Sequence, residues 1–250
     1  FRIDMRHLLH RDVPFGVFSA ELTALAEVVL AAALALAHAA LQERYGTPRL
    51  ADGRPCAFAL FGLGKLGGRE LGYASDLEVL CVYSGPGQTS GPQAVAVSQY
   101  AEMLVQQLLD LIVARRSGTF EIDLRLRPFG SKGPLATSLE AFRDYYRTGG
   151  PAAAFERQAL IKLRWVAGDA TLGQTIEAQR DAFVYSPGPL NVDEAVHLRQ
   201  RQIDELVQKG TTGQIDGQAA YNIKKDLDRI GQGSGNEAFH ARELKKALMK

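Results

Sequence analysis

The sequence predicts an α+β protein: a small mixed sheet with flanking helices, followed by a helical segment. Three observations carry this. Two short apolar runs, Ala57–Phe61 and Leu77–Tyr83, flank a glycine-rich turn and read as strands. A third run, Thr119–Arg127, alternates strictly, with Phe120, Ile122, Leu124 and Leu126 on one face and Glu121, Asp123, Arg125 and Arg127 on the other. The chain before and after these runs carries helical spacing instead.

Residues 1–45 read as helices with a break near Val13–Pro14–Phe15–Gly16, and Leu22, Leu25, Ala26, Val29, Leu30 and Ala33 recur at helical intervals. Within them Val28–Ala37 is an unbroken apolar run, too short to span a bilayer, and is expected as a buried Ala-rich helix. Thr47–Pro55 is a turn-rich loop and Ser84–Pro92 a surface loop. Ala94–Arg115 is a long amphipathic helix carrying Met103, Leu104, Leu108, Leu111 and Ile112. Pro128 ends the alternating strand, and Gly130–Pro134 forms a loop. From Ser138 to about Lys209 the chain reads as successive helices broken at Gly149–Pro151, Gly168 and Ser186–Pro189. The expected organisation is a mixed domain over 1–150, a helical domain over 151–209, and a divergent Gly- and Lys-rich tail over 210–250.

The net charge of +1 argues against a bulk polyelectrolyte partner such as nucleic acid, while permitting local basic patches. The two cysteines, Cys56 and Cys81, lie in or beside apolar runs and read as buried thiols, with no disulfide framework or secretion signal. The expected setting is the cytoplasm, without membrane attachment. His7, His10, His38, His197 and His240 have no ligand spacing that would pair them with the cysteines around zinc. The start at Phe1, inside apparent helix, suggests a piece of something longer.

Chemistry concentrates in Phe58–Tyr83. Asp76 and Glu78 are two residues apart at the opening of a strand and so point the same way. Paired carboxylates beside a glycine turn with exposed backbone N–H groups suit a Mg²⁺-bound triphosphate. Asp123 would supply a third ligand if its strand is a neighbour. Each acid alone also fits a solvated strand, but the pair shortly after Gly67–Gly68 favours function. Gly62-Leu63-Gly64-Lys65-Leu66-Gly67 fits the dinucleotide fingerprint as well. Only seven residues separate Gly68 from Asp76, however, and a parallel crossover needs about a dozen. Lys65 is followed by Leu66, which excludes a P-loop. Arg125 and Arg127 suit phosphate or a neighbouring acid equally. Lys162 and Arg164 are expected on a solvated helix face.

The stretches GKLGGRELGYASDLEV (64–79), DLRLRPFGSKGPLATS (123–138) and FERQALIKLR (155–164) closely resemble the nucleotidyltransferase domain of glutamate-ammonia-ligase (glutamine synthetase) adenylyltransferases. The resemblance covers roughly residues 1–209. It implies a DNA-polymerase-β-like nucleotidyltransferase core followed by a helical domain. It implies Asp76, Glu78 and Asp123 as metal-binding catalytic carboxylates for two Mg²⁺ ions, and Lys65, Gly67, Gly68, Ser75, Arg125 and Arg127 as the nucleotide and phosphate contacts. ATP or ADP would be the nucleotide, glutamine synthetase the protein substrate, and a PII-type signal protein a further partner.

Such enzymes move AMP between ATP and a tyrosine of glutamine synthetase, one half adenylylating and the other removing AMP by phosphorolysis to ADP. ERQALIKLRWVAGD and Phe183–Tyr185 resemble the deadenylylating half. Three departures stand out. Glu78 takes a place where many members have Asp, Phe155 replaces a common Trp, and the tail after Gly210 lacks the usual Gly-Gly-rich acidic motif. A non-catalytic nucleotide-sensing or docking module and an NAD-binding domain are the competing expectations.

Overall fold

In the structure, a computed structural model, residues 2–9, 14–73, 75–113 and 120–185 are described. The chain divides into two units, Phe1–Pro189 and Leu190–Lys250, and the expected tail and end of the helical domain lie outside the described residues.

Helix α1 (Arg2–Leu9) precedes α2 (Phe15–Tyr45), which is 31 residues long and starts after Pro14, a residue whose fixed φ suits a helix entry. By length and composition α2 could cross a membrane. Its inner stripe, Ala26, Leu30, Ala33, Leu34, Ala37 and Leu41, is buried in the core instead. The apolar run expected as a buried Ala-rich helix is therefore buried along one face, because a helix turns its residues through every direction. Val28 and Leu36, on the other face, are 66% and 60% exposed.

The sheet forms around β2 (Phe58–Gly62) and β3 (Leu77–Tyr83), which pair antiparallel with Phe58 opposite Tyr83 and Gly62 opposite Val79. The short helix α3 (Gly64–Gly67) joins them. This pairing rules out the dinucleotide reading, since the fingerprint needs a parallel crossover between its strands. β1 (Pro48–Leu50) and β4 (Gly87–Thr89) form a separate antiparallel pair inside the two segments expected as loops. Helix α4 (Val97–Leu111) is shorter than expected and lays Tyr100, Leu104, Val105 and Leu108 into the core.

Beyond α4, β5 (Ile122–Asp123) and β6 (Ala136–Ser138) lie end to end along β3, both parallel to it. β5 is only two residues long, because the chain turns at Leu124–Arg127 where alternation predicted a continuing strand. Helices α5 (Leu139–Tyr146) and α6 (Ala154–Ala159) follow. Arg164–Gly168, expected within helices, is instead strand β7, antiparallel to β2 with a register shift at Leu60/Phe61. The sheet thus continues past the boundary expected at Gly149–Pro151. Helix α7 (Ala170–Val184) closes the described chain, its first turn capped by the Asp169 carboxylate accepting from Leu172 N–H at 2.8 Å.

Alternation along β2 and β3 divides the core in two. Phe58, Leu60, Leu77, Val79, Cys81 and Tyr83 pack toward α2 and α4. Ala59, Phe61, Leu80 and Val82 pack toward α5 and α7, against Phe142, Tyr146, Leu163 and Ile176. The even-numbered face of β3 is the one that Asp76 and Glu78 share.

Candidate functional site

The site is built where β2, α3, the start of β3 and β5 meet. Parallel pairing sets Leu77 opposite Ile122 and Glu78 opposite Asp123. Paired residues of neighbouring strands face the same side, so Asp123 joins Asp76 and Glu78 on one face of the sheet. The register is held by Leu77 N–H donating to Glu121 O at 2.8 Å and Phe120 N–H to Ser75 O at 3.3 Å.

Glu78 and Asp123 each have a definite surrounding. Glu78 Oε2 accepts from the Lys65 backbone N–H at 3.2 Å and lies against Gly64, where any Cβ would collide with it. Gly64 also has a φ of +46°, so the turn needs glycine on two counts. Asp123 is gripped by Arg125, which donates from its backbone N–H at 2.8 Å, from Nε to both carboxylate oxygens at 2.9 Å, and from Nη2 at 2.6 Å. Burial works against the Asp123 charge. The Arg125 hydrogen bonds and the charges of Arg125 and Arg127 outweigh it and hold the carboxyl below its ordinary pKa. The Arg125 pKa is raised, mainly by its hydrogen bonds to Asp123 and then by the nearby charges, Asp76 and Glu78 included. Arg125 is thus a guanidinium in the combined field of all three acids.

Oxygen ligands of this kind suit Mg²⁺, and the strand register sets Glu78 opposite Asp123, with Asp76 just before β3. Among the described residues, however, no three metal-capable side chains converge on one point. Asp123 is folded onto Arg125 and Glu78 onto the α3 amide. The residues fit the ion in chemistry and in backbone placement, with Arg125 as the cation now in contact.

The remaining expected contacts are distributed unevenly. The Lys65 side chain is exposed beside the site. The amides of Gly67 and Gly68 donate to Leu63 O at 2.8 Å and Gly64 O at 3.0 Å. They belong to a closed helical turn, unlike the open loop of free N–H groups the sequence suggested. Ser75 is buried, and its hydroxyl accepts from Gly72 N–H at 2.9 Å. Arg127 is 8% exposed and donates to Leu124 O, Ser131 O, Gly133 O and Pro134 O at 2.9–3.2 Å. Its guanidinium organises the loop from beneath. Three non-glycine residues with left-handed backbone, Arg69, Phe120 and Phe129, flank the site segments. Such conformations gather where a fold imposes geometry for function.

Lys162 and Arg164, expected on a solvated helix face, stand instead at the end of a 3₁₀ turn and the start of β7. Lys162 Nζ bonds Glu70 Oε2 at 2.5 Å, and Arg164 reaches Gly67 O and Leu66 O at 3.0 Å each. Both lie against the glycine turn. Their spacing of two was the available signal, since residues two apart share a face in extended chain and not on a helix.

The chain matches the glutamate-ammonia ligase adenylyltransferase family over residues 1–179. Among curated relatives, it is 35% identical over 88% of its length to the bifunctional glutamine synthetase adenylyltransferase/adenylyl-removing enzyme of Acinetobacter baylyi. It is 34% identical over 87% of its length to the enzyme of that name from Pseudomonas aeruginosa. For that of Chromobacterium violaceum the identity is 41% over 74%. The matches cover 24%, 23% and 20% of those relatives, so the chain spans about a quarter of their length.

Proposed function

Because the chain belongs to the glutamate-ammonia ligase adenylyltransferase family, we propose that it forms a DNA-polymerase-β-like nucleotidyl-transfer core. Its reaction moves AMP between ATP or ADP and a tyrosine of glutamine synthetase, in the cytoplasm, with the deadenylylating direction favoured by the likeness of residues 156–169 and Phe183–Tyr185. The observation that carries this reading is the register of Glu78 against Asp123, with Asp76 two residues before Glu78 in the chain.

The chemistry is an in-line displacement at the α-phosphorus. In one direction the tyrosine hydroxyl attacks ATP and pyrophosphate leaves. In the other, a phosphate oxygen attacks adenylyl-tyrosine, ADP forms, and the tyrosine oxygen leaves. Asp76, Glu78 and Asp123 would hold Mg²⁺, which when bound neutralises phosphate charge and activates the attacking oxygen. Arg125, released from Asp123, turns its fork toward phosphate oxygens. Lys65 adds a second positive charge at the same mouth. Arg127 keeps the loop after β5 in place, and Ser75 fixes the turn that leads into Asp76.

The test is to incubate unmodified and adenylylated glutamine synthetase with the chain, Mg²⁺, and ATP or phosphate, and to read intact mass. A gain or loss of one AMP that disappears in Asp76→Asn, with folding unchanged by circular dichroism, supports the reading. No mass change in either direction with the parent chain overturns it in favour of a docking module.

A further inference from the structure

The stretch Lys162–Arg164 lies against the glycine turn in a way that the carboxylate chemistry does not account for. Helix α3 is four residues long. Beyond its end Lys65 O accepts from Glu70 N–H at 2.8 Å and Leu66 O from Arg69 N–H at a longer 3.3 Å, while among the described residues Gly67 O has no backbone partner of this kind. Arg164, the first residue of β7, supplies one: its Nε donates to Gly67 O and its Nη2 to Leu66 O, both at 3.0 Å. The same guanidinium pairs with Glu27 of α2 at 2.5 Å, and these two side chains are only 22% and 23% exposed. A planar fork can meet two carbonyls and a carboxylate together, whereas a lysine offers a single point charge.

The contact is close on every side. A Cβ on Gly67 would collide with Lys162 O and Gly62 O, so the chain at Lys162 lies directly against the turn. Lys162 also pairs with Glu70, just beyond it. Helix α3 in turn carries Lys65, whose amide holds the Glu78 carboxylate. A line of bonds therefore runs from Glu27 through Arg164 and α3 to Glu78.

We propose that Arg164 is a positioning residue for nucleotidyl transfer: tethered by Glu27, it caps the Leu66 and Gly67 carbonyls and so fixes α3, Lys65 and the Glu78 carboxylate against the nucleotide. The proposal rests on the nucleotidyl-transfer reading, and acts on binding geometry without touching substrate.

The experiment compares the full chain with Arg164→Lys and Glu27→Gln, measuring Mg–ATP affinity by calorimetry, melting temperature, and amide hydrogen exchange at Lys65, Gly67 and Gly68. Arg164→Lys retains a charge for Glu27, so its melting temperature should stay near the parent's. Its Mg–ATP dissociation constant should rise about tenfold, the usual scale for outer partners of a bound centre. The α3 amides should exchange about tenfold faster without nucleotide, and Glu27→Gln should shift both readouts the same way by less. Parent binding together with unchanged affinity and exchange in Arg164→Lys overturns the inference alone. Absence of Mg–ATP binding by the parent overturns the nucleotide reading and this inference together.

Discussion

Asp123 and Arg125, two residues apart, close on each other through both carboxylate oxygens, the guanidinium and a backbone N–H. The pair is lopsided in exposure: the Asp123 side chain is 12% exposed and that of Arg125 78%. The acid belongs to the sheet face, while the arginine is attached from the solvent side and is free to leave. An exposed guanidinium competes with any other cation for the same oxygens.

Removing that competitor should favour a metal. Arg125→Gln is expected to bind Mn²⁺ in the absence of nucleotide about fivefold more tightly than the parent, the equivalent of roughly 1 kcal/mol for an exposed ion pair. Titration followed by electron paramagnetic resonance measures it. Asp123→Asn should abolish the gain. A weaker Mn²⁺ affinity in Arg125→Gln would show that Arg125 is not the ion's competitor.

Arg127 has the opposite character. Its donors are spent on four backbone carbonyls under the loop, so truncation strands buried acceptors. Arg127→Ala should lose about 2–3 kcal/mol of stability, the scale of unsatisfied buried groups. Urea unfolding reads this directly. Arg125→Ala, by comparison, should cost well under about 1 kcal/mol.

The different fates of these two arginines mark how far the sequence could be read. Alternation put Asp123, Arg125 and Arg127 on one strand face, and for Asp123 the register bears this out. It could not tell that Arg127 would fold under Gly133 and Pro134, because that turn depends on carbonyls six and seven residues later. Leu77–Tyr83 was legible to the residue, since from Val79 onward the strand is buried on both faces and reads as a continuous apolar run, with Glu78 the single polar residue at its start. Strand β7 was not. Its sequence RWVAG follows a helical stripe, and it becomes a strand by filling the free edge of β2, a partner more than a hundred residues earlier. With β7 hidden, the clamp that Arg164 places on α3 was hidden too.

His38, on α2, should give the fold an acid-sensitive element. Burial pushes its pKa down to about 4, and its Nδ1 lies 3.1 Å from the Tyr100 hydroxyl. Above pH 6.5 the ring is neutral whether folded or unfolded, and the full stability is present. As pH falls from 6.5 toward 4, the unfolded chain takes up a proton that the folded chain refuses, so stability drops, by on the order of 2–3 kcal/mol across that window. The stability difference between the parent and His38→Leu, from urea midpoints at several pH values, should narrow by that amount on acidification. A difference constant with pH would mean that His38 is not held neutral.

Gly67 offers the sharpest separation of structure from ligand binding. If it were glycine only so that phosphate could approach, Gly67→Ala would fold normally and lose nucleotide affinity alone. The Lys162 carbonyl occupies the space a Cβ needs, with the Gly62 carbonyl behind it. Gly67→Ala should therefore lose about 2–3 kcal/mol of stability, as for overpacking of a rigid core, whether or not nucleotide is present. Gly16, in the first turn of α2 with open space around it, is the contrasting case. Gly16→Ala should leave binding unchanged and gain about 0.5 kcal/mol from reduced backbone freedom in the unfolded chain. Thermal and urea unfolding of both variants, with and without Mg–ATP, decides the matter. A Gly67→Ala chain as stable as the parent would mean that the approach of the chain at Lys162 to the glycine turn is looser than the backbone positions of Gly67 and Lys162 require.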